Sequence, residues 1–274
     1  MQNRFWLKAV PIVLALIAML YQFVVAPNFT NPETGRTARL GLSPGQELAL
    51  GAQSFTQVVQ QADVVTSGAN HDQVVRVSKR LAMAVALGKD DGFEWQVAVL
   101  RDAQANAFCL PGGKICVYTG ILPITRDDTG LAVVLGHEMA HATSHHGAER
   151  VFKQNLTQTA LLGAQGAVGG MDYDQQRAVM GLLGAGAQYG VLLPFSRDHE
   201  SEADQIGLHY MARAGYDPRA AVEFWTRMAQ NSGGRGQPEF ASTHPLHETR
   251  IRHIHELLPA AIAEFERATA AVER

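Results

Sequence analysis

The apolar positions of this chain change period several times, and each change marks an element. Arg4 and Lys8 precede an uncharged run from Ala9 to Ala26 (AVPIVLALIAMLYQFVVA), at the short end of the roughly 17–25 residues that cross a bilayer. Pro11 falls in its first turn, where a missing N–H costs little. Residues 27–42 carry Pro, Gly, Asn and Thr without an apolar period and read as a linker. Ser43-Pro44-Gly45-Gln46 then opens a helix to about Gln61, and Asp72 caps a second carrying Val74, Val75, Val77, Leu81 and Val85. Phe93–Leu100 alternates with aromatic and β-branched residues, and Ala107–Cys109 and Ile115–Tyr118 flank a Pro-Gly-Gly turn, which predicts a small antiparallel sheet. Asp127 or Asp128 caps a long helix to about Val151, striped by Leu131, Val134, Leu135, Met139 and Ala142. Further helices are expected from Arg197 to about Ala214, from Asp217-Pro218, and from about Leu246 to the C-terminus, with Ser232–Gly236 as a loop. The expected fold class is α+β, mainly helical.

Composition narrows the possible partners. With 274 residues and 46% hydrophobic content the chain can bury a core. A net charge of −3 leaves no basic footprint for phosphates, so nucleic acid is excluded as a partner. Residues 1–26 are expected to form a signal anchor that attaches the chain to a membrane, with Arg4 and Lys8 retained on the cytoplasmic side. The linker at 27–42 and a domain at 43–274 would then lie outside. Val24-Val25-Ala26 matches a signal-peptidase site poorly, which favours an uncleaved anchor. Ala178–Ser196 is also uncharged and near the length of a span, but its Gly and Gln interruptions suit closely packed core helices better. Cys109 and Cys116 could face one another across the Pro111-Gly112-Gly113 turn as a disulfide, or remain two buried thiols; their spacing fits no zinc motif.

The chemistry concentrates in His137-Glu138-Met139-Ala140-His141, an H-E-x-x-H sequence inside a predicted helix. Residues four apart share a helix face, so His137 and His141 can hold one metal ion, while Glu138 projects beside the open position as a general base. Zinc so bound lowers the pKa of water towards about 7, and Glu138 accepts its proton and returns it to a leaving amine. A third ligand is required. His199-Glu200-Ser201-Glu202-Ala203-Asp204 offers acidic candidates on another helix, where Glu200 and Asp204 share a face. Glu200 is assigned to the metal and Asp204 to a hydrogen bond that fixes a ligand imidazole; Glu202 ranks below Glu200. Arg197 either pairs with these acids or meets substrate. The site reads as a zincin-like metallopeptidase centre with one zinc ion per chain.

His137-Glu138-x-x-His141, Glu200-x-x-Ala203-Asp204, Asn106-Ala107-Phe108 with Pro111-Gly112-Gly113, and Ser242-Thr243-His244-Pro245 together resemble the gluzincins of metallopeptidase family forty-eight. That family includes CAAX prenyl proteases, the membrane protease HtpX, periplasmic BepA-like proteases and mitochondrial OMA-type quality-control proteases. The resemblance implies Glu200 as third zinc ligand, Asp204 as orienting carboxylate, and Asn106, Ala107, Phe108, Gly112 and Gly113 along the edge of a substrate cleft. It implies His244 near the metal, as a gate or an oxyanion stabiliser. His145 and His146 continue the metal-binding helix; the resemblance extends to His146 and Glu149, of which packing or hydrogen bonding is expected and not metal binding; His247, His253 and His255 are expected at the surface. The implied function is a membrane-anchored zinc metalloendopeptidase acting on misfolded or misassembled envelope proteins. Its place would be the inner membrane with the domain on the periplasmic side, or the periplasm if the signal is cleaved. The alternatives are a zinc-bound chaperone with a latent protease site and a multi-span, cytoplasm-facing enzyme of the HtpX or CAAX type.

Overall fold

A computed structural model describes residues 2–86, 92–168, 196–231, 240, 244 and 249–272, with side chains from Ala9 onward. All but the last residue of the Ala178–Ser196 run, the Ser232–Gly236 loop, Ser242, Thr243, Pro245 and His247 lie outside these. The chain divides into two compact units, Met1–Ser43 with Gly147–Leu193, and Pro44–His146 with Pro194–Arg274.

In the first unit α1 (Gln2–Val25) precedes a two-stranded hairpin of β1 (Asn28–Thr30) and β2 (Thr37–Arg39) inside the stretch expected as linker. The hairpin closes because Asn31 is buried and its Oδ1 accepts from the Glu33 N–H. α1 lies antiparallel to α6 (His146–Val168), with Pro11 against Gly166, Ala15 against Gly163 and Phe23 beside Phe152. From Ala9 onward, the α1 side chains that remain exposed are apolar or aromatic, among them Leu14, Leu16, Leu20 and Val24. Among the described residues, no helix is long and apolar enough to cross a membrane.

The second unit is helical around one sheet, as the α+β expectation requires. α2 (Pro44–Gln61) and α3 (Ala69–Ala86) precede β4 (Gln96–Leu100), β5 (Ala107–Leu110) and β6 (Lys114–Tyr118), with β3 (Val64–Val65) between the two helices. α3 begins three residues before Asp72, which sits in its first turn instead of capping it. The strand order is β3-β4-β6-β5. The sheet is mixed: β5 and β6 form the expected antiparallel hairpin, but β6 returns between β5 and β4 and runs parallel to β4. Gly112 and Gly113 both have positive φ, 73° and 81°, at the turn, where a side chain would meet Leu48 and Trp95.

After α4 (Leu122–Thr125) comes α5 (Asp128–Thr143), capped by Asp127, whose carboxylate accepts from the Gly130 N–H at 2.8 Å. α5 ends earlier than its pattern predicts. His145 takes φ 54°, and its Nδ1 lies 2.7 Å from the buried Glu47 carboxylate, so the chain turns before α6 restarts at His146. Nothing in the residue types marks this break, because its cause is a partner 98 positions away. α7 (Arg197–Arg213), α8 (Ala220–Asn231) and α9 (Arg250–Val272) complete the unit. α5 and α7 cross at Gly136 and Gly207: a Cβ on Gly207 would lie 2.9 Å from the His137 nitrogen. The core joins Val77, Leu81, Ile115, Leu131, Leu135, Ile206, Phe224 and Trp225.

Candidate metal centre

α5 is buried on all sides around its motif, and the tight crossing at Gly136 and Gly207 brings α7 against it. His137, His141 and Glu200 therefore meet although the last two are 59 positions apart. His244 joins them from a turn fixed by its N–H bond to the Phe240 carbonyl and by stacking of the two rings at 4.6 Å. The four side chains each offer one donor atom, all within 4.8 Å of one another, and all are buried.

The spacing of these atoms tests whether a metal ion fits. His137 Nε2 lies 3.1 Å from His141 Nε2 and 3.2 Å from His244 Nδ1. The Glu200 carboxylate oxygens lie 3.4 Å from His137 Nε2, 3.4 Å from His141 Nε2 and 3.0 Å from His244 Nδ1. A tetrahedral zinc with ligands at 2.0–2.1 Å has edges of about 3.3 Å. Three imidazole nitrogens and a carboxylate oxygen are a zinc donor set, and such a convergence of lone pairs calls for positive charge at its centre. The residues fit one zinc ion, with His244 Nδ1 standing where a fourth donor would be.

Glu138 lies beside this cluster, with its Oε1 3.2 Å from His244 Nε2. Burial raises its pKa, against the opposing pull of the His244 and His137 rings and a hydrogen bond from the Cys109 backbone on β5. Burial likewise drives the His141 ring towards neutrality. For His137 burial is the largest influence and lowers its pKa, yet hydrogen bonds to Asp204 and Glu200 outweigh it and hold the value up at about 9. The Glu200 carboxylate is penalised by burial but held charged by hydrogen bonds with His137, His141 and His244.

Asp204 reaches His137, its Oδ1 lying 3.0 Å from Nδ1. Glu202 is not among the four clustered donors and meets His146. The residue that sequence reasoning missed is Arg250. Its Nε and Nη2 donate to both Asp204 oxygens at 2.8 and 2.7 Å, its Nη1 donates to Glu200 at 3.0 Å, and its guanidinium lies 3.5 Å over Trp225. The available signal was a pair of arginines, Arg250 and Arg252, soon after His244 in a site already holding two carboxylates. Arg197 lines a cavity of 380 Å³ with Glu200, Arg250 and His253. His253 Nε2 lies 2.7 Å from the Ser201 hydroxyl.

The residues expected to border the cleft are on β5 and its flanks. β5 is an edge strand, packed against α5. Ala107 is buried and Phe108 half-buried; Asn106 holds the strand start, accepting from the Ala107 N–H through its side chain and from Tyr118 through its carbonyl. Ala105 just before it accepts from the Phe240 N–H, which ties the His244 turn to this edge. Gly112 and Gly113 lie at the far turn, under α2 and Trp95. Cys109 and Cys116 are free thiols that do not face one another, because Cys109 pairs with Ile115 and Cys116 with Phe108. They lie on opposite faces of the sheet.

Comparison with known proteins agrees with this centre. A profile of peptidase family M48 matches residues 69–258. The chain is 41% identical over 198 residues to the mitochondrial metalloendopeptidase OMA1 of Schizosaccharomyces pombe, covering 72% of this chain and 56% of that protein. It is 32% identical to the Saccharomyces cerevisiae protein of the same name, covering 86% and 71% respectively. It is 27% identical to the beta-barrel assembly-enhancing protease of Escherichia coli, covering 88% and 50%. The chain thus spans half or somewhat more of the length of these relatives. With the matched region running from α3 into α9 and containing both metal-binding helices, the chain belongs to peptidase family M48.

Proposed function

We propose that this chain is a membrane-anchored zinc metalloendopeptidase of protein quality control, acting on misfolded or misassembled envelope proteins. The observation that carries the reading is a buried cluster of four donors at tetrahedral spacing with Glu138 beside it. Zinc held by His137, His141 and Glu200 would supply a Lewis acid that acidifies water and polarises a peptide carbonyl. Glu138 takes up the water proton, which its raised pKa favours, and delivers it to the leaving amine. An extended peptide pairs with the β5 edge, where Asn106, Ala107 and Phe108 border it and Gly112 and Gly113 shape the distal turn. His244 at the fourth corner is a latch: substrate enters when it withdraws. Support for quality control comes from the relatives, one of which is named for enhancing β-barrel assembly.

Anchoring rests on the uncharged run Ala9–Ala26 and on the apolar side chains that α1 exposes from Ala9 onward, which favour a lipid surface over water. The domain would face the periplasm, on the side opposite Arg4 and Lys8.

The test is Glu138→Gln. It should bind one zinc per chain and lose cleavage of casein or a misfolded protein by at least about 100-fold. Chelation should silence the parent, and zinc should restore it. Cleavage by Glu138→Gln at the parent rate would sink the peptidase reading. The closed fourth corner favours one alternative, a zinc-bound chaperone. That reading wins if Glu138→Gln performs every cellular role of the parent.

A further inference from the structure

His137 is oriented by Asp204 and Arg250. His141, the other imidazole of the motif, is held from the opposite side by a chain of its own. Its Nε2 faces the donor cluster, and its Nδ1 lies 2.9 Å from His146 Nδ1. His146 Nε2 in turn lies 2.8 Å from Glu202 Oε2. His146 is fully buried, and its ring stacks on His199 at 4.3 Å and 17°. The break in the helix after Thr143 makes this possible: with His145 in the left-handed region, His146 turns back onto the motif.

With Glu202 ionised and both rings neutral, proton placement along this chain has one consistent solution. A carboxylate only accepts, so His146 Nε2 must carry a proton and donate it. His146 Nδ1 is then a bare lone pair and accepts from His141 Nδ1. With its proton on Nδ1, His141 presents the Nε2 lone pair to the cluster, which is the form that binds metal. The reverse order would set two acceptors against each other at Glu202 and place a proton on His141 Nε2, where it blocks coordination.

We infer that Glu202 and His146 are positioning residues that fix His141 in its metal-binding tautomer, acting through two successive imidazoles. This rests on the metallopeptidase reading above. The acidic helix then serves both imidazoles: Asp204 reaches His137 directly, and Glu202 reaches His141 through His146.

The test uses the full chain, Glu202→Gln, and His146→Phe, which keeps the ring stacked on His199. Nitrogen-15 histidine NMR of the metal-free proteins reports the His141 tautomer, and chelator competition reports zinc affinity. The parent should show His141 protonated on Nδ1. Glu202→Gln should mix the tautomers, because an amide can donate as well as accept, and both variants should lose about 10–100-fold in zinc affinity. His141 protonated on Nε2 in the parent overturns the inference, and this readout needs no variant to fold. Parent-like zinc affinity in both variants also overturns it, even where thermal stability falls, and leaves the peptidase reading standing. A parent that binds no zinc removes both.

Discussion

Arg250 is where one residue joins the metal centre to the stability of the fold. It is buried, neutralises two buried carboxylates and lies against Trp225. Removing one partner from a buried ionic cluster leaves uncompensated charge, at a cost of about 3–5 kcal/mol. Arg250→Met, which keeps much of the volume, should lower the stability of the metal-free chain by about that amount. Zinc should offset part of the loss, because a cation bound near Glu200 restores positive charge to the cluster. Thermal unfolding with and without zinc checks both statements. Equal losses in the two conditions would mean that Arg250 supports packing alone. H-E-x-x-H and Glu200-x-x-x-Asp204 are legible in the sequence because their partners lie four residues apart on one helix face, and the sequence carries that period. Arg250 meets Asp204 across 46 residues and His146 meets Glu202 across 56, so no local pattern announces either contact.

The crossing of α5 and α7 sets the distance between the two halves of the ligand set. Gly136 and Gly207 face each other there, and a methyl on Gly207 would lie 2.9 Å from the backbone nitrogen of His137 and 3.0 Å from the Gly136 carbonyl carbon. Gly207→Ala should push the helices apart, costing about 1–3 kcal/mol and displacing Glu200 from the imidazoles. Zinc affinity should fall with stability; a variant that unfolds earlier but binds zinc like the parent would show that the helices adjust without moving the ligands. Helix identities were readable from apolar stripes and caps, and Asp127 starts α5 as its residue type predicts. The β5–β6 register was not readable to one residue. A three-residue turn at Pro111–Gly113 pairs Leu110 with Lys114, so Cys109 stands opposite Ile115 and the two thiols take opposite faces. Centring the turn half a residue later would have joined them, and hydrophobic alternation alone does not choose between the two.

At the scale of the molecule, the chain separates a unit that carries an apolar helix from a unit that carries chemistry. Within the first, α1 uses small residues for close approach, with Ala15 at Gly163 and Pro11 at Gly166, and Gln22 donates to the Thr159 hydroxyl at 2.7 Å. Small residues in contact and a polar bridge are devices by which helices associate where lipid removes the hydrophobic drive between them. Leu162 on α6 is exposed, as are Leu14, Ile17 and Leu20 on α1. Water would penalise so much apolar surface at about 25 cal/mol per Å², whereas a bilayer would not. The full chain should therefore sediment with membranes and resist carbonate extraction. Protease added to intact spheroplasts should digest the Pro44–Arg274 region, and protease added to inverted vesicles should not. Release by carbonate would remove the anchor, and digestion in inverted vesicles would place the metal centre in the cytoplasm, where a multi-span arrangement explains the chain better.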